Sequence, residues 1–374
     1  MVAADPIAAE TSAGPRSVTV DWRLGLIFCL AVAFVAGQLW LQKEHLLTGP
    51  PNEFLMAYSS AKVIGATDIY DPSGLAFQHS PLSALLISPL TALPYPNAFW
   101  TWSLLGVWSV VGFVMLWRPP DATVSAIAAL ASGPLFVAFL DGRALPLMLL
   151  FVAAGVAAAK GGREFHAGLW LSLAFVQPQL FLLLPLAVVA KRRWAVLRGM
   201  AVGGLALLGL SVWASGSDWP WRMAAAWAGY PLEPGTSPTI AGLLTQLGLG
   251  PTFGIPAAAA VAVLVWIVAS RSEMPAAVGT ALAAGLLVSP RAELADAAIL
   301  LPGALALYAT ARTRALRWTA LLLLTPLPYF AAGSFSMPLT AAATAALLAL
   351  AALESVSARW PIARPLSPEA GQRA

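Results

Sequence analysis

The sequence predicts an all-α, polytopic helical membrane protein, and three observations lead there. Of 374 residues, 59% are hydrophobic and only 10% are charged. A soluble globular domain carries roughly 25% charged residues, so lipid must be the solvent for much of this chain. Apolar runs of about 17–25 residues, long enough for a helix to cross a hydrocarbon core, recur along its whole length. Those runs are continuous, without the period-two alternation of a transmembrane β-barrel.

Taken in order, residues 1–22 read as a disordered cytoplasmic tail, 23–353 as a single transmembrane domain and 354–374 as a second cytoplasmic tail. The first span is expected at 24–42, an uncleaved anchor and not a signal peptide. A polar connection follows, and then an apolar piece at 81–95 punctuated by Pro81, Pro89 and Pro94. That piece is short and proline-broken, which fits a re-entrant or interfacial helix. Further spans are expected at 97–117, 123–140, 145–160, 196–216, 254–270, 276–290, 296–311, 317–331 and 336–353, for about twelve crossings in all.

The stretch 167–190 is ambiguous. Basic residues flank both its ends, Lys160 and Arg163 before it and Lys191, Arg192 and Arg193 after it, and Gln177-Pro178-Gln179 breaks its middle. The bias of basic residues toward the cytoplasm favours a hairpin of two short helices with an outward tip. The rival is one tilted span, with 81–95 promoted to a full crossing. With the hairpin, both termini are cytoplasmic and only Lys43, Lys62, Arg143, Arg222 and Arg291 of the 21 Lys and Arg residues lie outside. The rival topology gives a weaker asymmetry.

Composition narrows the function as well. The net charge of +4 follows from loop bias and carries no nucleic-acid meaning, and Cys29 is the single cysteine, so no intramolecular disulfide exists. Three histidines, at 45, 79 and 166, form no zinc-spaced cluster. No P-loop or GxGxxG in a strand–helix context appears, so neither a nucleotide nor another cofactor is expected. The chemistry-bearing residues gather in the outward connections: Glu53, Asp68, Asp71, His79, Asp141, Arg143, Gln177, Trp219, Trp221, Arg222, Trp227, Tyr230, Arg291, Glu293 and Asp296. Charged groups at membrane depth usually line a cavity or a pathway.

The run Glu53-Phe54, Tyr58, Ala61, Gly65, Ile69-Tyr70-Asp71, Pro81-Leu82, Pro89-Leu90 and Leu93-Pro94 resembles the first outer loop of the GT-C polyprenol-phosphate-dependent glycosyltransferases. Within these, the chain is most similar to glycosyltransferase family 87, the mannosyltransferase-like group. Asp141-Gly142-Arg143, Phe175 to Gln179, Lys191 to Trp194, Ser237 to Leu244 and Ser289-Pro290 through Asp296 extend the resemblance over about residues 20–350. It implies transfer of a hexose, mannose favoured, from polyprenyl phosphate to a lipid or glycan acceptor. Transfer would occur with inversion at the outer leaflet of a bacterial plasma membrane. A carboxylate in the first outer loop would be the general base.

The resemblance puts Glu53 at the base position, where Asp is usual. His79 stands where Tyr is common, Gln177 where the family has Lys, and Arg143 where it has Gln. Asp296 matches a Tyr-Asp segment with Ala295 in place of Tyr. Arg143 and Arg291 are then candidates for the leaving phosphate, because Arg suits bidentate phosphate contact. Gln177, Asp296 and His79 complete the candidate substrate contacts, and no metal ligand is expected. The structural alternatives are concrete. Glu53 would cap the following helix, Arg143 would pair with Asp141, and Arg291 with Glu293 or Asp296. The tryptophans would anchor the membrane interface. With Lys absent at 177, a second function is open: a polyprenyl-phosphate or glycolipid carrier that binds without transfer.

Overall fold

The computed structural model describes residues 53–65, 68–70, 77–117, 122–229, 237–335 and 338–357. The expected amino-terminal tail and first span, Asp71, Tyr230 and residues 358–374 of the expected carboxy-terminal tail lie outside them. The described residues are helical with no strand.

Helix α1 is Glu53–Val63 and α2 is Pro81–Ile87, continued by a 3-10 turn at Ser88–Ala92. Pro81 opens α2 because its missing N–H would be unpaired in a first turn anyway. The long helix α3, Tyr95–Trp117, exposes Trp100, Leu104, Trp108 and Met115 along one side. Such an apolar exposed face suits lipid. Next come α4 (Ala122–Ala131), α5 (Gly133–Leu140), α6 (Leu145–Lys160), α7 (Glu164–Leu173) and α8 (Leu184–Ala190). They are followed by α9 (Trp194–Ser215), α10 (Trp219–Gly229), α11 (Ile240–Gln246), α12 (Gly254–Arg271) and α13 (Met274–Val288). The last four are α14 (Leu300–Thr310), α15 (Arg314–Leu324), α16 (Leu327–Phe335) and α17 (Leu339–Ser357).

The core is organised on α13, which is buried on nearly every side. Small residues let neighbours approach it. A Cβ on Gly279 would stand 2.5 Å from Gly303 Cα of α14, and one on Gly285 would stand 2.1 Å from the Leu180 carbonyl oxygen. Helices α7 and α9 meet the same way, through Gly168 and Gly199.

Among the described residues, four helices are long and apolar enough to cross a membrane: α3, α9, α12 and α17. Two bent pairs raise this to six. The described residues thus bear out four to six of the about twelve expected spans, and the expected first span lies outside them. Several expected spans are shorter helices, such as α6 at 16 residues and α13 at 15. At about 1.5 Å per residue, 16 residues cover only about 24 Å of a hydrocarbon core of about 30 Å. The stretch expected at 317–331 stops at Thr325-Pro326 and restarts as α16. The one at 123–140 bends by 58° where Ser132 caps α5 ahead of Pro134. In the ambiguous 167–190 stretch the chain turns by 119° between Glu164–Val176 and Pro178–Ala190. That turn is nearer a hairpin than a straight span. Several apolar helices of this kind fit a membrane protein.

Candidate active site

The site begins with a turn. Arg143 N donates to the Ala138 carbonyl at 2.8 Å, closing the end of α5, and Gly142 takes a φ of +66°. The turn is seated on the start of α1: Phe54 N donates to Asp141 O at 2.9 Å, and Trp102 Nε1 of α3 donates to Gly142 O at 2.8 Å. A Cβ on Gly142 would come within 2.5 Å of the Phe54 Cβ, so glycine is required for space as well as for φ.

From this turn the Arg143 side chain enters a buried cluster; the residue is 6% exposed. Its Nε lies 2.9 Å from Glu53 Oε2 and donates to Asp141 Oδ2 at 3.3 Å. Its Nη1 donates to Asp296 Oδ1 at 2.9 Å, and its Nη2 bonds Glu293 Oε2. Glu293 and Asp296 come from the 3-10 turn Leu294–Ile299, where they form a reciprocal capping box. Glu293 N donates to Asp296 Oδ2 at 2.8 Å, which leaves the other Asp296 oxygen for Arg143.

Glu53 is 7% exposed and is also met from two other segments. Gln177, at the bend between α7 and α8, donates from Nε2 to Glu53 Oε1 at 3.3 Å. His79 Nε2 lies 3.5 Å from the same oxygen. Oε2 of Glu53 accepts no hydrogen bond in spite of its charge contact, because the Arg143 Nε–H points at Asp141. Gln177 Oε1 and His79 Nδ1 are likewise buried and unpartnered. Three neighbouring residues thus present unused acceptor atoms or lone pairs in one place.

The segment carrying His79 is clasped from outside the cluster. Tyr70 Oη donates to His79 O at 2.7 Å, and Trp227 Nε1 of α10 donates to Gln78 O at 2.7 Å. Ser80 Oγ donates to Val176 O, joining this segment to the bend at Gln177. Helix α10 is pinned again by Arg222, which pairs with Asp68 at 2.7 Å and Asp218 at 2.8 Å. Arg291 closes the ring, with Nη2 3.8 Å from Glu293 Oε1 and Nη1 donating to Trp227 O at 3.3 Å.

Burial pushes the Glu53 carboxyl up to about 7; Arg143 opposes this, and Glu293 and Asp141 reinforce it. Burial lowers the His79 imidazole to about 4, and Arg143 lowers it further, so it is neutral at physiological pH. Burial alone would lower the Arg143 guanidinium, but Glu53, Asp296, Glu293 and Asp141 outweigh it and hold the group charged. Burial would raise Glu293, yet Arg143 and Arg291 bring it below its ordinary range.

All six residues singled out from the sequence, Glu53, His79, Arg143, Gln177, Arg291 and Asp296, therefore lie in one connected network. The pairings foreseen as alternatives for the two arginines, with Asp141 and with Glu293, are also present. Trp227 serves as a hydrogen-bond donor to a loop carbonyl, a role its composition did not disclose, whereas Trp221 is 79% exposed. Sequence reading missed that Glu293 bridges both arginines. Its spacing from Asp296, the capping-box pattern, was the available signal. A shallow, half-open crevice lined by Trp102, Leu105, Gly106, Pro146 and Leu147 reaches Arg143 from between α3 and α6.

The profile of glycosyltransferase family 87 matches residues 77–290, a range holding His79, Arg143 and Gln177, with Glu53, Arg291, Glu293 and Asp296 beyond its ends. No curated protein and no solved structure matches the chain. More than half of the sequence, including the turn that organises the buried cluster, carries the family's pattern, and the chain belongs to glycosyltransferase family 87.

Proposed function

We propose that this membrane glycosyltransferase moves a hexose, mannose favoured, from polyprenyl phosphate to a hydroxyl of a lipid or glycan acceptor. The reaction inverts the anomeric centre and Glu53 is its general base. One observation carries this reading: a buried carboxyl with a pKa of about 7 keeps one oxygen without a hydrogen-bond donor beside unpartnered atoms of Gln177 and His79. A base is most effective when its pKa lies near the working pH. Glu53 Oε2 takes the acceptor's hydroxyl proton as the hydroxyl oxygen bonds to the anomeric carbon. The bond from that carbon to the phosphate oxygen breaks, and polyprenyl phosphate leaves with the electron pair.

Arg291, beside Glu293 at the edge of the cluster, is the cation placed at the leaving phosphate. Gln177, Asp296 and His79 hold sugar or acceptor hydroxyls. Residues 23–353 act as one GT-C-like membrane domain, with the site facing the periplasmic side of a bacterial plasma membrane and both termini in the cytoplasm. The test is transfer by purified protein from radiolabelled polyprenyl-phosphate mannose to extracted membrane lipids. Glu53→Gln should lower the rate by about 10²–10⁴-fold; retention of wild-type transfer by this variant rejects Glu53 as the base.

A second reading is favoured by one specific feature. Arg143 is engaged by four carboxylates, Glu53, Asp141, Glu293 and Asp296, and Gln177 faces Glu53 where a lysine is expected, so neither position offers a cation to promote departure of the phosphate. On that reading the protein is a polyprenyl-phosphate or glycolipid carrier. Donor binding without turnover by the wild-type protein would support it over the enzyme.

A further inference from the structure

Arg143 differs from an ordinary phosphate-binding arginine in what already occupies it. Its three nitrogens meet carboxylates from three separate parts of the chain: Glu53 at the start of α1, Asp141 on its own turn, and Glu293 with Asp296 on the 3-10 turn before α14. The residue is 6% exposed. A phosphate reaching it would have to displace a carboxylate in a buried setting, where like charges repel and unpaired ions are costly. The backbone that carries Arg143 is committed to the same task. Asp141 O receives Phe54 N, and Gly142 packs within a methyl's width of Phe54. Turn and side chain therefore grip the first residues of α1 together.

The grip also leaves the acid usable. The Nε–H is spent on Asp141, so Glu53 Oε2 gains the charge of Arg143 at 2.9 Å without losing its lone pair to a hydrogen bond. We infer that Arg143 is the positioning residue of Glu53, tying its carboxylate to the turn and to the acids before α14, and is not a ligand of the donor's phosphate. This rests on the reading of Glu53 as the base. The groups that face Glu53 are His79, Asp141, Arg143, Gln177, Glu293 and Asp296. Of these, Arg143 alone is a permanent cation, so its removal shifts the acid's titration in one direction.

Two measurements test this on the full-length purified protein. In the first, the carbonyl stretch of protonated Glu53, identified by subtracting the Glu53→Gln spectrum, is titrated by infrared spectroscopy. It should move up by about 1–3 pH units in Arg143→Gln. In Arg143→Lys, which keeps a charge and guards against a fold that fails without one, the shift should be smaller and in the same direction. In the second, transfer from polyprenyl-phosphate mannose is followed against pH. Both variants should lose kcat, on the order of a hundredfold for Arg143→Gln, with an unchanged donor KM and a rising limb displaced to higher pH. A large increase in donor KM with kcat and the pH limb unmoved, or an unshifted carboxyl signal, overturns the inference. Undiminished transfer by Glu53→Gln would instead reject the base assignment, so the two failures are distinguishable.

Discussion

His79 Nε2 stands 3.5 Å from Glu53 Oε1, and the two groups are shifted in opposite directions, the carboxyl up to about 7 and the imidazole down to about 4. Folding therefore transfers a proton from one to the other. Between about pH 4.5 and 6.5 the unfolded chain holds an ionised Glu53 and a protonated His79, whereas the folded chain holds the reverse. The proton count from this pair is nearly equal in both states, so its contribution to stability is nearly flat over that window.

Breaking the pair should unmask each slope. Glu53, raised in the fold, contributes stability that is complete below about 4.5 and lost as pH rises to about 7. His79, lowered in the fold, contributes stability that is complete above about 6.5 and lost as pH falls to about 4. Relative to wild type, His79→Gln should lose stability as pH rises from 4.5 to 6.5, and Glu53→Gln should gain it, each by up to about 1.4 kcal/mol per pH unit. Thermal unfolding in detergent across this range measures both; parallel curves for the three proteins would contradict the assignment.

With Glu53 as the proposed base, the same carboxyl should set the pH dependence of transfer. A base must be deprotonated, so kcat/KM should rise through a midpoint near pH 7 and not near the ordinary glutamate value of 4.5. A plateau already reached by pH 5.5 would show that the group in control is not this buried acid.

Gly142 and Gly162 have similar positive φ values, +66° and +75°, but different surroundings. Beside Gly162 a Cβ meets nothing within 4 Å, whereas beside Gly142 it collides with Phe54. Gly162→Ala should cost about 1 kcal/mol from backbone conformation alone. Gly142→Ala should cost clearly more and should also depress transfer, since it dislodges the turn that carries Arg143. Equal melting temperatures for the two variants would argue against the seating of this turn on α1.

Helix α10 meets the site through Trp227, whose indole donates to the Gln78 carbonyl and whose own carbonyl accepts from Arg291, so side-chain variants of α10 report on position more than on charge. Trp227→Phe removes the donor to Gln78 O and should lower stability by about 1 kcal/mol. Transfer should fall with little change in the pH limb. Arg222→Gln breaks a partly exposed pairing with Asp68 and should cost at most about 1 kcal/mol. A Trp227→Phe protein with wild-type kcat would separate α10 from the site.

Much of this was legible in the sequence. Sparse charge drew attention to fifteen residues at the connections, the family resemblance picked six of them, and those six meet in the network around Arg143. The helical class followed from continuous apolar runs. The number of crossings was less legible: among the described residues, Ser132-Gly133-Pro134, Gln177-Pro178 and Thr325-Pro326 interrupt runs that hydropathy alone reads as unbroken. What Arg143 does was equally hidden. Asp141 is a sequence neighbour, but Glu293 and Asp296 lie 150 and 153 residues away, and only the packing of the 3-10 turn against α5 brings them to it. The role of Trp227 depended on which carbonyl lay opposite its indole, and composition cannot encode that.

The break at Gln177 has a consequence for fidelity. A chain that leaves helical geometry inside an apolar bundle exposes backbone groups, and these are tolerated only where protein or enclosed water covers them. Here protein covers them: Val176, Gln177, Leu180 and Phe181 are all buried, and the Ser80 hydroxyl takes the Val176 carbonyl. Gln177 thus delivers its amide to Glu53 from a sealed wall. In the proposed reaction, water competes with the acceptor hydroxyl for the activated sugar, and a sealed wall denies it a path to the anomeric carbon. Opening that wall, by Ser80→Ala for instance, should show itself less in the rate of donor consumption than in the fate of the sugar, with free monosaccharide released where the wild-type protein yields glycosylated acceptor.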